Sequence, residues 1–189
     1  VVEALNSATI PFRNGPQTEA IAGGDLNGDS YPDLIIAHPQ TSYTSLESGI
    51  VYIYSGTPTG LAATPAQILT PEDGVTLFGH GIALEDINKD DQLDLLVGAP
   101  SDGAGGRVYI YYGSPDGVFP SVPDRVLSNP TQSDYMGFSI TVCDFNADEH
   151  PDIALGALFG DESGTYHNQG SIQIFYGSED GYQDTFDQE

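Results

Sequence analysis

Three nonapeptides place acidic or amide side chains at alternate positions, a spacing that can form a cation site. The segment DLNGDSYPD begins at Asp25, and the same spacing returns at Asp86 and Asp144. Positions 1, 3, 5 and 9 carry side-chain oxygens, and position 7 can add its backbone carbonyl. Alternate residues of a tight loop turn inward, so we expect these oxygens to converge. The predicted ligands are Asp25, Asn27, Asp29, Tyr31 and Asp33; Asp86, Asn88, Asp90, Gln92 and Asp94; and Asp144, Asn146, Asp148, His150 and Asp152.

The donor chemistry favours calcium. Ca²⁺ takes many hard oxygen ligands, and the ninth Asp could bind it through both carboxylate oxygens. Zn²⁺ and Cu²⁺ prefer His or Cys, and Mg²⁺ prefers to keep more of its water. The competing interpretation is a set of Asx-turns, in which Asp and Asn accept hydrogen bonds from their own backbone. Because the pattern occurs three times with identical spacing, we predict three Ca²⁺ sites.

The charge balance supports a cation-binding protein and excludes other classes. Lys and Arg total 4 against 28 Asp and Glu, so the formal net charge is −24. Such a chain is repelled by nucleic acids and by anionic membrane surfaces. An apolar content of 39% distinguishes it from a disordered acidic tail. No stretch approaches the length of a membrane-spanning helix, so no membrane span is predicted.

Each nonapeptide sits within a longer repeat, and repeats determine architecture. The loop starts are separated by 61 and 58 residues, and the apolar runs DLIIA, DLLVG and DIALG follow them. Further on come IVYIY, RVYIY and SIQIF, which are typical of strands. Four short strands per repeat predict an all-β fold: a β-propeller of four-stranded antiparallel blades, with three blades in this chain. A β-sandwich or a parallel β-helix explains the repeat less well.

The repeats define one propeller module over residues 1–189. We place their boundaries at 13–72, 73–130 and 131–189, and residues 4–12 are predicted to supply the outer strand of another blade. Propeller rings need roughly four to eight blades, so three cannot close one. Two alternatives follow: a homodimer that closes a six-bladed ring, or a chain that is a fragment of a longer propeller.

Short motifs flank each loop and carry a family resemblance. The second repeat has Phe78-Gly79 before its loop and Gly98-Ala99-Pro100 after it. The matching residues are Gly137-Phe138 and Gly156-Ala157-Leu158 in the third repeat, and Ala37-His38-Pro39 in the first, which lacks the Phe-Gly pair. On these motifs the chain resembles the FG-GAP repeats of the integrin α-subunit head. The resemblance implies that each calcium loop joins the first and second strands of a blade.

One position departs from the family pattern. The family often has Gly at position 6, whereas this chain has Ser30, Asp91 and Glu149. A residue other than Gly is strained at positive φ, so calcium affinity is the property that this change should affect.

The resemblance also implies adhesion or ligand recognition at an extracellular location, secreted or on the cell surface. In integrin-like propellers a protein or glycan ligand binds the rim opposite the calcium loops. Segments predicted for that rim are 38–48, 99–105 and 157–169, with 13–18, 70–78 and 128–136. Their exposed-looking aromatic residues are Tyr43, Tyr135, Phe159 and Tyr166.

No catalytic motif is present, so the chain is not expected to be an enzyme. Cys143 is interpreted as a small buried apolar residue. His38, His80, His150 and His167 are interpreted as solvated loop residues. The leading function is a calcium-binding recognition module. The alternatives are the non-catalytic propeller part of a secreted hydrolase or lyase, and a carbohydrate-binding lectin.

Overall fold

The protein is described by a computed structural model over residues 20–39, 48–102, 105–128, 135–158 and 170–182. All regular elements in these ranges are strands. They are β1 (Ala20–Gly24), β2 (Asp33–His38), β3 (Ile50–Tyr54), β4 (Gln67–Leu69), β5 (Ile82–Glu85), β6 (Asp94–Ala99), β7 (Arg107–Tyr111), β8 (Arg125–Ser128), β9 (Met136–Cys143), β10 (Asp152–Ala157) and β11 (Ser171–Phe175). The described residues contain no helix that could cross a membrane.

The strands form three antiparallel sheets, each a simple meander. The orders are β1-β2-β3-β4, β5-β6-β7-β8 and β9-β10-β11. Equivalent pairs hold the same register: Ala37 faces Val51, Gly98 faces Val108 and Gly156 faces Ile172. The predicted all-β architecture of propeller blades is confirmed. Within the described residues the third sheet has three strands, and the outer strand predicted over 4–12 lies outside those residues.

Two apolar cores lie between neighbouring blades and pack them together. The first lies between blades one and two and includes Ile35, Val51 and Phe78. The second lies between blades two and three and includes Leu96, Met136 and Leu155. The middle strands β2, β6 and β10 are buried along almost their whole length, so both faces of these central strands are covered. This explains why their sequences are continuous apolar runs rather than alternating ones.

The Phe-Gly motif is an interblade contact. Phe78 forms an isolated parallel bridge with Gly49 of the preceding blade, and Met136 forms the same bridge with Gly106. The third-repeat equivalent of Phe78-Gly79 is therefore Met136-Gly137, and the assignment to Gly137-Phe138 is wrong. Met136 is fully buried like Phe78, whereas Phe138 is 37% exposed.

Two further side-chain expectations are wrong. Cys143 ends β9 and is exposed. Its neighbour Val142 packs against the second core, so the strand alternation turns Cys143 to the other side of the sheet. His38 ends β2 and is buried, with its ring edge-to-face on Tyr52 at 5.8 Å. His80 and His150 are half-buried, and His167 lies outside the described residues.

Replacing Gly106 with Ala is expected to destabilise the interface between blades two and three. Gly106 has φ +83°, and an added Cβ would lie 2.6 Å from the Met136 nitrogen. The change combines left-handed strain of about 1–2 kcal/mol with overpacking of about 1–3 kcal/mol. Urea unfolding in EDTA measures the loss.

Gly28→Ala is the matched control for this prediction. Gly28 has φ +71°, and an added Cβ would meet nothing within 4 Å. Ala147 already occupies the equivalent position of the third loop at φ +62°. The control should therefore cost the backbone strain alone, about 1–2 kcal/mol. Equal losses for the two variants would show that the close approach of the blades carries no energetic weight.

Candidate metal centres

The three nonapeptides form equivalent loops that connect the first and second strands of their blades. They join β1 to β2, β5 to β6 and β9 to β10. This is the placement that the resemblance implied. Because equivalent strands end at the same rim of each blade, the three loops are presented in the same way. The same set of hydrogen bonds recurs in each of them.

Positions 1 and 3 are drawn together by one backbone amide. In the first loop the Asp29 N–H donates to Asp25 Oδ1 at 3.1 Å and to Asn27 Oδ1 at 3.0 Å. The Ser30 N–H donates to the other oxygen of Asp25 at 2.8 Å. The second and third loops repeat all three contacts. The structure therefore brings a carboxylate and an amide oxygen to a common point in every loop.

The carboxylate of position 5 is also held by hydrogen bonds within its own loop. Asp29 Oδ1 accepts from the Tyr31 N–H at 2.8 Å, and its Oδ2 accepts from Asn27 Nδ2 at 3.2 Å. The equivalent bonds recur at Asp90 and Asp148. These contacts are Asx-turns, so the competing interpretation of the loops describes a real part of their geometry. At Asp148 the bond from the His150 amide is the largest of the contributions that lower the carboxyl pKa.

The ninth residue differs from the other carboxylates because it is buried. Asp33 is 5% exposed, and Asp94 and Asp152 are fully buried. Asp33 Oδ2 accepts from the Leu26 N–H at 2.9 Å, and its Oδ1 accepts from the Gly56 N–H at 2.7 Å. The other two blades repeat both bonds, to the amides of Ile87 and Gly113 and of Phe145 and Gly177. This Asp therefore ties its loop to the turn after the third strand.

The loops require left-handed backbone at two positions. Position 6 has φ +71° at Ser30, +67° at Asp91 and +72° at Glu149. This matches the expectation that a residue other than Gly would occupy a strained turn there. Position 4 is also left-handed, at Gly28, Lys89 and Ala147, and this was not anticipated. The strain persists because the amides of positions 5 and 6 are anchored to the first Asp.

In the second loop, burial and neighbouring carboxylates disfavour the charged form of Asp94, an effect that a bound cation would reduce. Burial raises the pKa of Asp94 to about 6, and the charges of Asp90 and Asp86 add to the rise. The two backbone bonds from Gly113 and Ile87 oppose it. One cationic side chain reaches across the blades here, since Lys89 Nζ donates to the Glu149 carbonyl oxygen at 3.0 Å. Lys89 thus links the second loop to the third.

The oxygen donors of each loop are of the type that calcium binds, although the carboxylates of a loop are not already grouped as they are around a metal ion. In the part of the chain that the structure describes, no three His, Cys, Asp or Glu side chains are grouped as they are around a metal. The predicted ligands also include Asn side-chain oxygens and backbone carbonyl oxygens, which do not belong to those four side-chain types. Each carboxylate oxygen that accepts one N–H retains a further lone pair. The loops are thus oxygen-rich, with their ligands oriented by backbone amides.

One feature of the site could have been read from the sequence and was not. Gly56, Gly113 and Gly177 recur after the third strand of each blade, and each donates to the buried Asp. A Cβ on Gly56 would lie 2.5 Å from the Tyr31 carbonyl oxygen. The repeated Gly is therefore the signal that the turn approaches the loop backbone closely.

Two of the predicted ligand segments come together at one end of a cavity that extends along blade two, as far as residues 121–123 at the end that carries the calcium loop. Residues 70–75 and Asp102 line this cavity of about 390 Å³ with Arg107, Tyr109 and Tyr111. Asp102 is buried and accepts hydrogen bonds from the Tyr109 hydroxyl and from Arg107, the latter at 3.2 Å. Burial raises the pKa of Tyr111 to about 12, with a contribution from Glu72. Tyr135 of the predicted ligand rim is 38% exposed, while Tyr43, Phe159 and Tyr166 lie outside the described residues.

Family comparison matches the repeats directly. The model of the FG-GAP-like repeat matches residues 25–97 and 86–155, and that of the FG-GAP repeat matches residues 136–175. Together the first two matches cover more than half of the chain. They contain all three candidate loops.

The curated relatives include proteins of two kinds. The chain is 31% identical over 170 residues to phosphatidylinositol-glycan-specific phospholipase D of Bos taurus. This match covers 83% of this chain and 20% of that protein. It is 35% identical over 146 residues to integrin alpha-6 of Gallus gallus, covering 73% of this chain and 13% of the integrin. The chain is also 35% identical to integrin alpha-7 of Homo sapiens, and that match covers 74% of this chain and 12% of the integrin. The chain thus spans about a fifth of the phospholipase and less of the integrins.

Proposed function

We propose, since this chain belongs to the FG-GAP repeat family, that it is a calcium-binding β-propeller module that recognises a ligand outside the cell. The observation that carries the proposal is the identical hydrogen-bond network in three loops. In each, the amides of positions 5, 6 and 7 orient the carboxylates of positions 1 and 5 and the amide oxygen of position 3. Asx-turns alone would need only one short polar side chain per turn.

Calcium is the cation that this donor set suits best. The proposed ligands at each site are the side chains of positions 1, 3, 5 and 9 and the carbonyl of position 7, all oxygen donors. Three Asp and one Asn concentrate about three negative charges in each loop, which is unfavourable without a cation. The chain cannot neutralise them from its own basic residues, because as a whole it has 4 basic side chains against 28 acidic ones.

The extracellular location is part of the same proposal. Modest calcium sites are filled where the calcium concentration is high, which is outside the cell. The strained residues at position 6 argue for modest rather than tight affinity. The partner we propose is a protein or glycan that binds the rim opposite the calcium loops, where residues 70–75 and Asp102 line one end of a cavity.

A second candidate function is favoured by the relatives. Phospholipase D proteins match over 83% of this chain but only 20% of their own length. The chain could therefore serve as the non-catalytic propeller part of a secreted hydrolase. In that case the rim opposite the loops would position a substrate for a catalytic unit elsewhere. Both candidates share the calcium loops, so calcium binding does not separate them.

Counting bound calcium tests the proposal. Equilibrium dialysis with ⁴⁵Ca²⁺ is expected to give three sites per chain, and Asp90→Ala is expected to leave two. Asp90 is exposed, so its loss should remove ligands without unfolding the blade. Glu179→Ala is the matched control, because it removes one exposed carboxylate outside the loops and should retain three sites. A chain that binds no calcium at millimolar concentration would rule out the proposal.

A further inference from the structure

The cavity along blade two is a groove between blades one and two. One wall is the segment 70–75, which leads from β4 of blade one toward blade two, and the other includes Tyr109 and Tyr111 of β7. Its volume of about 390 Å³ falls within the range of about 300–1,000 Å³ that small-ligand sites occupy. Blades on both sides enclose it, so the groove belongs to a complete interblade junction.

One end of the groove carries a buried carboxylate with an unused oxygen. Asp102 is 6% exposed, and its Oδ2 accepts hydrogen bonds from the Tyr109 hydroxyl and, at 3.2 Å, from Arg107. Its Oδ1 has no hydrogen-bond partner among the described residues. The Arg107 side chain is 44% exposed, and its bond to Asp102 uses one nitrogen of the guanidinium. A free acceptor and further N–H donors therefore line the same groove.

The hydroxyl of Tyr111 is a second polar group without a partner in the described part of the chain. Tyr111 is 2% exposed and lines the groove, with its ring edge-to-face on Phe78 at 6.4 Å. The charge of Glu72, on the opposite wall, adds to the rise in the pKa of this hydroxyl, which indicates that the hydroxyl faces that wall. Buried polar groups are nearly always hydrogen-bonded, and leaving one unpaired costs free energy. The Tyr111 hydroxyl is thus available to a ligand.

The charges of the lining argue against an ionic ligand of either sign. Glu72, Asp73 and Asp102 outnumber Arg107, so an anion would be repelled. A cationic group carries hydrogen-bond donors but no acceptor. Beside Arg107 it would meet a like charge and leave the remaining N–H groups of the guanidinium unmatched.

Hydroxyl groups match both kinds of partner. A hydroxyl donates one hydrogen bond and accepts others, so neighbouring hydroxyls of one ligand could donate to Asp102 Oδ1 and accept from Arg107. Further along, the groove is lined by Val126 and by Val122, which is 62% exposed. An apolar wall with a few convergent polar groups is typical of small-molecule sites. It suits a sugar ring, which has an apolar C–H face and a polar rim.

We infer that the groove between blades one and two is a binding site for a neutral saccharide, whose hydroxyls bond Asp102, Arg107 and Tyr111. The unpartnered hydroxyl of Tyr111 and the half-used carboxylate of Asp102 carry this inference. It rests on the ligand recognition proposed above and deepens it, since it chooses a glycan over a protein. The groove contains none of the proposed calcium ligands, so saccharide binding and the calcium count are separate measurements.

Saturation-transfer NMR on the full chain in calcium tests the inference. The probes are the methyl glycosides of glucose, galactose, mannose, fucose and N-acetylglucosamine, with lactose and maltose as longer probes. At least one should give a signal, and titration calorimetry then measures its dissociation constant. Tyr111→Phe should weaken that binding at least about tenfold, because it removes a hydrogen bond to the saccharide. The variant should keep the urea unfolding curve of the unaltered chain, since the hydroxyl has no partner to lose.

Tyr54→Phe is the matched control. Tyr54 holds the position in β3 that Tyr111 holds in β7, because each faces the Leu that follows the buried Asp of its blade. It is likewise buried, but it lies outside the lining of the groove. Tyr54→Phe should therefore bind the saccharide as the unaltered chain does.

Several results would overturn the inference. If no probe binds, it fails, and a dialysis count of three calcium ions would leave the proposed calcium binding intact. Binding that Tyr111→Phe leaves unchanged, or that Tyr54→Phe weakens equally, would place the saccharide elsewhere. N-acetylarginine methylamide serves as a cationic probe for a protein side chain. If it alone gives a signal, and Tyr111→Phe abolishes that signal, the ligand is a protein. A lower urea midpoint for Tyr111→Phe would show that the hydroxyl is bonded within the fold and is not available to a ligand.

Discussion

Calcium at 100 times its dissociation constant is expected to raise the free energy of unfolding by about 8 kcal/mol. Each site that binds only the folded chain contributes about 2.7 kcal/mol at that ratio, and three sites are proposed. The physical reason is the charge: each proposed ligand set holds three carboxylates, in a chain of net charge −24. Urea unfolding followed by circular dichroism, with calcium or EDTA present, measures the difference.

Two controls separate specific binding from charge screening. Sodium chloride at equal ionic strength screens the acidic chain without filling a site, and Mg²⁺ tests selectivity for the larger cation. Both should stabilise the protein far less than calcium. Asp90→Ala should remove about a third of the calcium increment, and Glu179→Ala should retain all of it. Identical unfolding curves in calcium and EDTA would contradict a structural role for the cation.

Asp33→Ala is expected to lower the free energy of unfolding by about 4 kcal/mol even in EDTA. The variant leaves the buried amides of Leu26 and Gly56 without their acceptor, at roughly 1–3 kcal/mol each. The loss should therefore be visible when no metal is bound. Urea unfolding in EDTA measures it.

Asp29→Ala is the matched control in the same loop. It removes the same functional group, but its hydrogen bonds are exposed, so water replaces them and the loss in EDTA should be below about 1 kcal/mol. In calcium both variants should also lose the contribution of one site. If the two variants are equally stable in EDTA, the ninth Asp is a ligand without a structural role of its own.

The strands and loops could be predicted because they depend on local sequence. The runs at β2, β6 and β10 are apolar since these strands are buried along almost their whole length, and such runs are visible without a structure. The alternating oxygens of the loops repeat with the strands. The repeat period and the spacing of the oxygen-bearing residues therefore predict the same positions for all three loops.

The bonds of the ninth Asp could not be predicted in the same way. Asp33 reaches Gly56 across 23 residues of sequence, so the contact depends on the strand register rather than on spacing. The same is true of Cys143, whose exposure follows from which side of β9 faces the second core. Met136 was missed because Gly137-Phe138 imitates the motif in reverse order, and only the bridge to Gly106 settles the pairing.

The construction of the interblade contacts has an evolutionary consequence. At each junction one apolar side chain enters a surface of glycines and backbone atoms, beside an apolar core that the two blades share. Met136 serves where Phe78 serves in the neighbouring junction. The entering position therefore accepts different apolar side chains. Gene duplication can copy or delete a whole blade while the junctions on either side remain usable, so propellers of this kind can change size by recombination without passing through an unfolded ancestor.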